Sequence, residues 1–273
     1  MVIKTLVENT SPYQHLACEH GLSLYLEAGG YKILFDTGAS HGFAQNAIKM
    51  GVHLSQVDFL VISHGHYDHG GGLKTFLELN DRARIYLHPL AFQGYYARRP
   101  SGDLRYIGLD PDLKDHERMV FTDQDLSLVP GIRIFSQVPQ REALPASNRH
   151  LLMEKEGQVQ DDVFAHEQNM VIEEDGKVLL LTGCAHRGIV NILQHFHQQE
   201  GRYPDYVMGG FHLSKSDQDY DPPQEIDRIA RFLLETGAKY YTGHCTGLAP
   251  YQRLRERMGD RIDYLSTGTI LEI

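Results

Sequence analysis

The sequence predicts an α/β protein whose sheets are covered by helices, and three observations carry that expectation. Two short strand patterns joined by Gly29-Gly30 come early in the chain. After them, apolar strand patterns alternate with helical ones. No internal repeat and no low-complexity tract interrupts the order. An αββα sandwich fits, and other layered α/β arrangements fit more loosely.

Residues 2–7 read as a first strand. Residues 21–27 alternate apolar and polar side chains, and Tyr31–Phe35 follows the Gly-Gly turn, so the pair reads as an antiparallel hairpin. Residues 41–50 suit a helix, with Phe43, Ala47 and Met50 on one side. Residues 57–63 form a short apolar run, consistent with a buried strand. A helix over 71–80 and a strand over 84–88 come next. Residues 90–160 break this rhythm with mixed aromatics, arginines and prolines, and read as an insertion, a lid or a small subdomain. Alternation returns at 168–172 and 177–182. Helices are expected over 187–199 and 223–236, and strands at 206–208 and 239–241.

Composition sets the outer bounds. A chain of 273 residues is expected to form one domain, 1–273, with the insertion inside it. The net charge of −10 argues against a nucleic-acid-coating surface, yet leaves room for a local basic pocket. Cys18, Cys184 and Cys245 are too few and too scattered for a disulfide framework. No apolar run approaches the ~20 residues of a membrane span, and the first residues lack a secretory pattern. The expected setting is the cytoplasm and the expected partner a small-molecule substrate. No nucleic acid or membrane is expected, and the oligomeric state is left open.

The chemistry gathers in the histidines. His64, His66, Asp68 and His69 fall within six residues directly after a buried strand, with Gly65 allowing a sharp turn. The same strand–glycine–ligand pattern recurs at Cys184 and His186, at His212, and at His244. Functional groups in layered α/β proteins collect at such strand ends. His212 could contact substrate instead of metal. Asp36 also ends a strand, where a carboxylate can fix the tautomer of a neighbouring histidine.

These blocks resemble the metallo-β-lactamase superfamily. The likeness rests on the Glu19-His20-Gly21-Leu22-Ser23 block, Leu34–Gly38, Asn46-Ala47, the Ser63–Gly71 histidine motif, Thr182–Asn191, Gly209–Leu213 and Gly243–Gly247. It is closest to the branch of metal-dependent hydrolases that includes the archaeal dihydropterin–ribofuranosylaminobenzene-phosphate synthase. The resemblance implies an αββα sandwich and two divalent metal ions, zinc first and iron or manganese as alternatives. It makes His64 and His66 ligands of one ion, and Asp68, His69 and His244 ligands of the other. Cys184 stands where most members carry a bridging aspartate. The third histidine of the family has no counterpart at its usual place, where the chain offers only His166, and His186 is expected instead.

The implied activity is hydrolysis of a small, possibly phosphorylated, ester-type substrate by a metal-activated hydroxide, with Asp68, Asp36 and His212 as catalytic candidates. A transferase condensing a pterin methyl diphosphate with an aminobenzene ribotide is the alternative. There Arg98, Arg99, Arg105 and Lys215 are candidate phosphate contacts. A non-catalytic sensor is the third reading.

Overall fold

The computed structural model describes residues 1–216 and 219–273. Two seven-stranded sheets stack face to face. In the first, the order is Ile270–Glu272, Val2–Val7, Ser23–Ala28, Tyr31–Phe35, Phe59–Val61, Arg84–Leu87 and Met119–Phe121. In the second it is Ile262–Tyr264, Lys239–Thr242, Tyr206–Gly209, Lys177–Leu181, Asn169–Glu174, Ile132–Phe135 and Leu126–Val129. Helices Gly42–Lys49 and Leu73–Leu79 cover the first sheet. Helices Ile189–Glu200, Pro223–Thr236 and Leu248–Met258 cover the second.

Strand alternation explains the layering. Leu24, Leu26, Ile33, Phe35, Phe59 and Val61 point from the first sheet into the inter-sheet core. They meet Ile132, Ile134, Met170, Ile172, Leu179 and Leu181 of the second. Their neighbours Tyr25, Leu34 and Leu60 turn outward to Phe43, Ala47, Leu73 and Phe76 of the helices. Because Phe59–Val61 and most of Lys177–Leu181 are buried on both faces, those strands read as continuous apolar runs, whereas Ser23–Ala28 keeps Glu27 exposed. The arrangement is the αββα sandwich. Helix Pro223–Thr236 begins on proline and closes at Gly237, left-handed with φ 76°.

Residues 90–160 are not one inserted body. Met119–Phe121 joins the first sheet, and Leu126–Val129 and Ile132–Phe135 join the second. Their pattern was masked by their brevity, three or four residues each. The remainder builds a separate four-stranded sheet from Tyr95–Arg98, Leu104–Tyr106, Leu151–Lys155 and Gln158–Asp161. Helix Leu248–Met258 and the strands after it went unread in the sequence. That helix has five polar or charged residues in its eleven, and only Pro250, Leu254 and Met258 are buried. No helix of the described residues is long and apolar enough to cross a membrane.

Topology positions the site. Tyr31–Phe35 and Phe59–Val61 run parallel, as do Lys177–Leu181, Tyr206–Gly209 and Lys239–Thr242. Their carboxyl ends open on the same edge of the sandwich, with Gln168 as a staple. Its backbone N–H donates to the Ser63 carbonyl at 2.8 Å, and its side-chain amide donates to the carbonyls of Ile62 and Tyr86.

Replacing Leu26, fully buried between the sheets, with alanine should cost about 2–5 kcal/mol. Denaturant unfolding measures it, and bound metal per folded chain should not change.

Candidate metal centre

Strand ends deliver every side chain of the cluster. The turn after Phe59–Val61 carries His64 and His66, and the one-turn helix Tyr67–Gly70 that follows it carries Asp68 and His69. The loop after Lys177–Leu181 carries Cys184 and His186, the loop after Tyr206–Gly209 carries His212, and the loop after Lys239–Thr242 carries His244. All are buried. The turns are sharp enough to force Asp36, Ala185, His212 and His244 into the left-handed region, φ 47–61°. Such conformations in non-glycine residues mark functional sites when the surroundings enforce them. Glycine at 183 is a spatial requirement, because a Cβ there would collide with the Ser63 hydroxyl.

Four of the imidazoles are held from behind, whereas His66 Nε2 has no hydrogen-bond partner. His69 Nδ1–H donates to Asp36 Oδ2 at 2.6 Å. His64 Nδ1 lies 2.9 Å from Ser63 Oγ, whose own proton goes to Asp36 Oδ2 at 2.7 Å. His186 Nδ1–H donates to Asn148 Oδ1 and His244 Nδ1–H to Asn9 Oδ1, both at 2.9 Å. Each asparagine also donates its amide to the carbonyl of the histidine it holds, which fixes its orientation.

This leaves the Nε2 atoms as bare lone pairs facing one another. His64 Nε2 lies 3.1 Å from His66 Nδ1 and 3.3 Å from His186 Nε2. His69 Nε2 lies 3.1 Å from both His244 Nε2 and Cys184 Sγ. Asp68 Oδ2 stands 3.2 Å from His244 Nε2. With their protons directed outward, these atoms repel unless a cation sits among them. Among the described residues four sets could each hold a metal ion, with ligand atoms within 4.8 Å of one another: Asp68, His69, Cys184 and His244; His64, Cys184 and His186; Cys184, His212 and Cys245; and His66, Asp162 and His166. Cys184 belongs to the first three.

Electrostatics agree. Burial, reinforced by neighbouring imidazoles, holds His64 and His186 well below the ordinary histidine range. Burial takes His66 to about 3 and His244 to about 4. These rings are neutral, as metal binding requires. His69 goes the other way: burial works downward, but Asp36 and Asp68 outweigh it and raise its pKa. Burial also works to raise Asp68, but the His69 charge and hydrogen bonds from His20 and His244 hold it well below the usual carboxylate value. Burial pushes the Cys184 thiol up, helped by its contact with Cys245, so it keeps its proton until a cation displaces it.

Residues 17–135 match the metallo-beta-lactamase superfamily. The structure superposes on that of Tm1679, a metal-dependent hydrolase of the beta-lactamase superfamily. Its TM-score is 0.85 and its identity 30%, with 100% of this chain and 99% of that one covered. The chain belongs to the metallo-beta-lactamase superfamily. Two proteins of Methanocaldococcus jannaschii are also similar. One, the uncharacterized protein MJ0448, is 29% identical over 93% of this chain and 94% of its own length. The other is 7,8-dihydropterin-6-methyl-4-(beta-D-ribofuranosyl)-aminobenzene-5'-phosphate synthase, 28% identical over 99% of this chain and 96% of its own. Use of divalent metal is the superfamily's property, and this cluster is where the chain can exercise it.

His166 of this metallo-beta-lactamase sandwich neighbours His66, ring centroids 5.3 Å apart, but both its nitrogens are already partnered. Its Nδ1 accepts the Gly65 backbone N–H at 2.9 Å, and its Nε2–H donates to Asp162 at 3.1 Å. Asp36 lies outside the cavity, fully buried. Its two oxygens take the Ser63 N–H, the Ser63 hydroxyl and the His69 ring, so it positions histidines and does not reach substrate. His212 lines the cavity, its ring centroid 4.1 Å from that of His186, and neither of its nitrogens has a partner.

Several contributors went unread in the sequence. Asn9 and Asn148 lie far along the chain from the rings they hold. Glu167 accepts the backbone N–H groups of His186 and Arg187. His20 reaches Asp68 at 3.3 Å from the solvent side. Only the resemblance singled out the His20 block, and none of the other three has a local motif.

The cavity above these groups holds about 460 Å³. Its walls include Arg98, Arg99, Arg105 and Ile107 of the small sheet and its connections, so this part of the 90–160 stretch overhangs the metal cluster.

Two outcomes are expected. Asp36→Asn should lower metal affinity about 10–100-fold in a competition titration with a chromophoric chelator, because the His69 and His64 tautomers lose their anchor. The second concerns acid stability without metal. His64, His66, His186, His212 and His244 have depressed pKa values in the fold. Unfolding returns them to 6.5, so the unfolded chain binds more protons between about 4 and 6.5. Stability of chelator-treated protein should therefore fall as pH falls through that window. His69 and His20, whose values are raised, act oppositely above it. Thermal melts at stepped pH read this, and a flat profile would count against the assigned tautomers.

Proposed function

We propose that the chain is a two-metal hydrolase acting on a small, phosphorylated, ester-type substrate. The observation that carries the reading is the convergence of imidazole nitrogens, four of them on rings whose other nitrogen is hydrogen-bonded outward, with the Cys184 thiol among them. His64, His66 and His186 would hold one ion, Asp68, His69 and His244 the other, and Cys184 would bridge. Nitrogen, oxygen and sulfur donors together suit zinc best, with iron or manganese the alternatives. When bound, such a pair supplies Lewis acidity to a phosphoryl or acyl oxygen and lowers the pKa of water towards neutrality.

The protein's own residues shape the rest. Burial holds His212 well below the ordinary histidine range. As a neutral ring with both nitrogens unpartnered over the cavity, it can offer one N–H to the oxygen that gains charge. Asp68, charged and facing the cavity, can take a proton, and its contact with His20 connects it to solvent. Arg105 lies 5.3 Å over the Tyr67 ring beside Asp68, placed to meet an anionic substrate. The small sheet acts as the lid that sets specificity.

A transferase is the second reading. It is favoured by the 28% identity, over nearly the whole chain, to the synthase of Methanocaldococcus jannaschii. There the same ions would face a departing diphosphate. Fold alone does not choose between these reactions. A turnover screen does: phosphodiesters, thioesters and lactones on one side, a pterin methyl diphosphate with an aminobenzene ribotide on the other. Release of alcohol or acid by water supports the hydrolase, whereas condensation with release of diphosphate replaces it.

Elemental analysis of protein prepared without chelator should find two transition-metal ions per chain, and His66→Ala combined with Asp68→Ala should abolish both. Wild-type protein without metal would defeat the reading. Cys184→Ser should weaken metal affinity and Cys184→Asp restore part of it, while Cys184 in the loaded protein should resist alkylation until chelator is added. An inert core thiol would show the reverse ranking. His212→Ala should leave metal content intact and lower kcat about 10²–10³-fold on whichever substrate the screen returns.

A further inference from the structure

The cavity over the metal cluster continues into a second lobe of about 420 Å³. Arg98, Arg99, Pro100, His150 and Lys215 line both, so they form the neck between them. Arg149 lines the outer lobe alone. The guanidinium groups of Arg98, Arg99 and Arg149 make no ion pair with a described residue, and Lys215 only a long one, 3.8 Å, to Asp219. The other carboxylate of the outer lobe, Asp221, is committed to the backbone N–H groups of Ala146 and Ser147, each at 3.1 Å. Among the described residues Asp68 is the one carboxylate that lines the inner lobe.

Exposed arginines need no partner for stability. Their placement is what calls for a cause. In a chain of 36 acidic and 26 basic residues, four cations line this one lobe, and of its two described carboxylates Asp219 approaches only Lys215, at 3.8 Å, while Asp221 is taken up by backbone N–H groups. Elsewhere several surface cations do sit beside acidic partners: Asp227 with Arg253 and Arg257, Asp263 with Arg255 and Lys239, Glu225 with Arg228. Planar guanidinium forks match phosphate oxygens two at a time.

Resting on the reading that chemistry occurs in the inner lobe, we propose that the substrate carries a second anionic group. It is a phosphate monoester or diphosphate distal to the reacting bond, and the outer lobe binds it through Arg98, Arg99, Arg149 and Lys215. The neck thereby measures the separation between the reacting bond and the distal phosphate. Uncharged esters of the same size would enter the inner lobe without this hold.

The test uses the metal-loaded full chain, with ribose 5-phosphate as probe and ribose as the uncharged control, read by calorimetry. Wild-type protein should bind the phosphate form, not ribose, and the affinity should fall with added salt. Arg98→Ala combined with Arg149→Ala should weaken binding about tenfold or more. Metal content and melting temperature should hold, because no protein partner is lost. Equal affinity in the double variant would overturn the proposal, since the phosphate would then be bound elsewhere, including at the ions. No binding to wild type would overturn it too. Metal content measured on the same samples separates this failure from failure of the two-metal reading, which would show as protein without ions.

Discussion

The structure depends on one constraint: several imidazole lone pairs must point at one another in a dry interior. Left alone, that arrangement repels, and each ring would rotate or protonate to escape it. The fold prevents escape by placing an acceptor behind four of the rings. Asp36 serves two rings at once, His69 directly and His64 through the Ser63 hydroxyl. Asn9 and Asn148 each grip a histidine at both its ring and its carbonyl. Much else follows from this demand. Glycine stands at 183 so that the Ser63 hydroxyl has room, and the left-handed turns at Asp36, His212 and His244 aim side chains that regular strand exits would misdirect.

The two-sheet architecture supplies the convergence. Neither sheet alone carries the full set. The first contributes Asp36 and the His64–His69 segment, and the second contributes Cys184, His186, His212 and His244. Their strand ends meet only because the inter-sheet core fixes the stacking, with Gln168 tying the two at the rim. Burial then keeps most of the rings neutral while Asp68 stays charged, which is the donor set a divalent cation prefers.

Much of this was legible in the chain, for local reasons. The Gly29-Gly30 hairpin, helix Pro223–Thr236 and the strands feeding the ligand loops have strong periodicity or turn chemistry, and they stand where expected. The cluster was readable because its first four members share one short segment and the others repeat a strand–glycine–ligand pattern. The structure puts His186 beside His64 and turns both nitrogens of His166 to other partners, a distinction of direction that spacing cannot encode. The supports behind the rings were hidden. Asn9 and His244 are 235 residues apart, and a lone asparagine in a loop has no signature. Strands Leu126–Val129 and Ile132–Phe135 were hidden by brevity inside an irregular stretch, and helix Leu248–Met258 by a polar surface that leaves few apolar positions.

The central claim is that these rings and the Cys184 thiol are already arranged to hold ions. X-ray absorption at the edge of the bound metal reads that arrangement directly in the loaded, unmutated protein. The account predicts a shell of nitrogen and oxygen scatterers with imidazole outer-shell features, and a sulfur scatterer at ~2.3 Å if the metal is zinc. The sulfur scatterer should vanish in Cys184→Ser and persist in Cys245→Ser. A spectrum of oxygen scatterers alone, without imidazole features or sulfur, would mean that metal binds elsewhere, and would contradict the account.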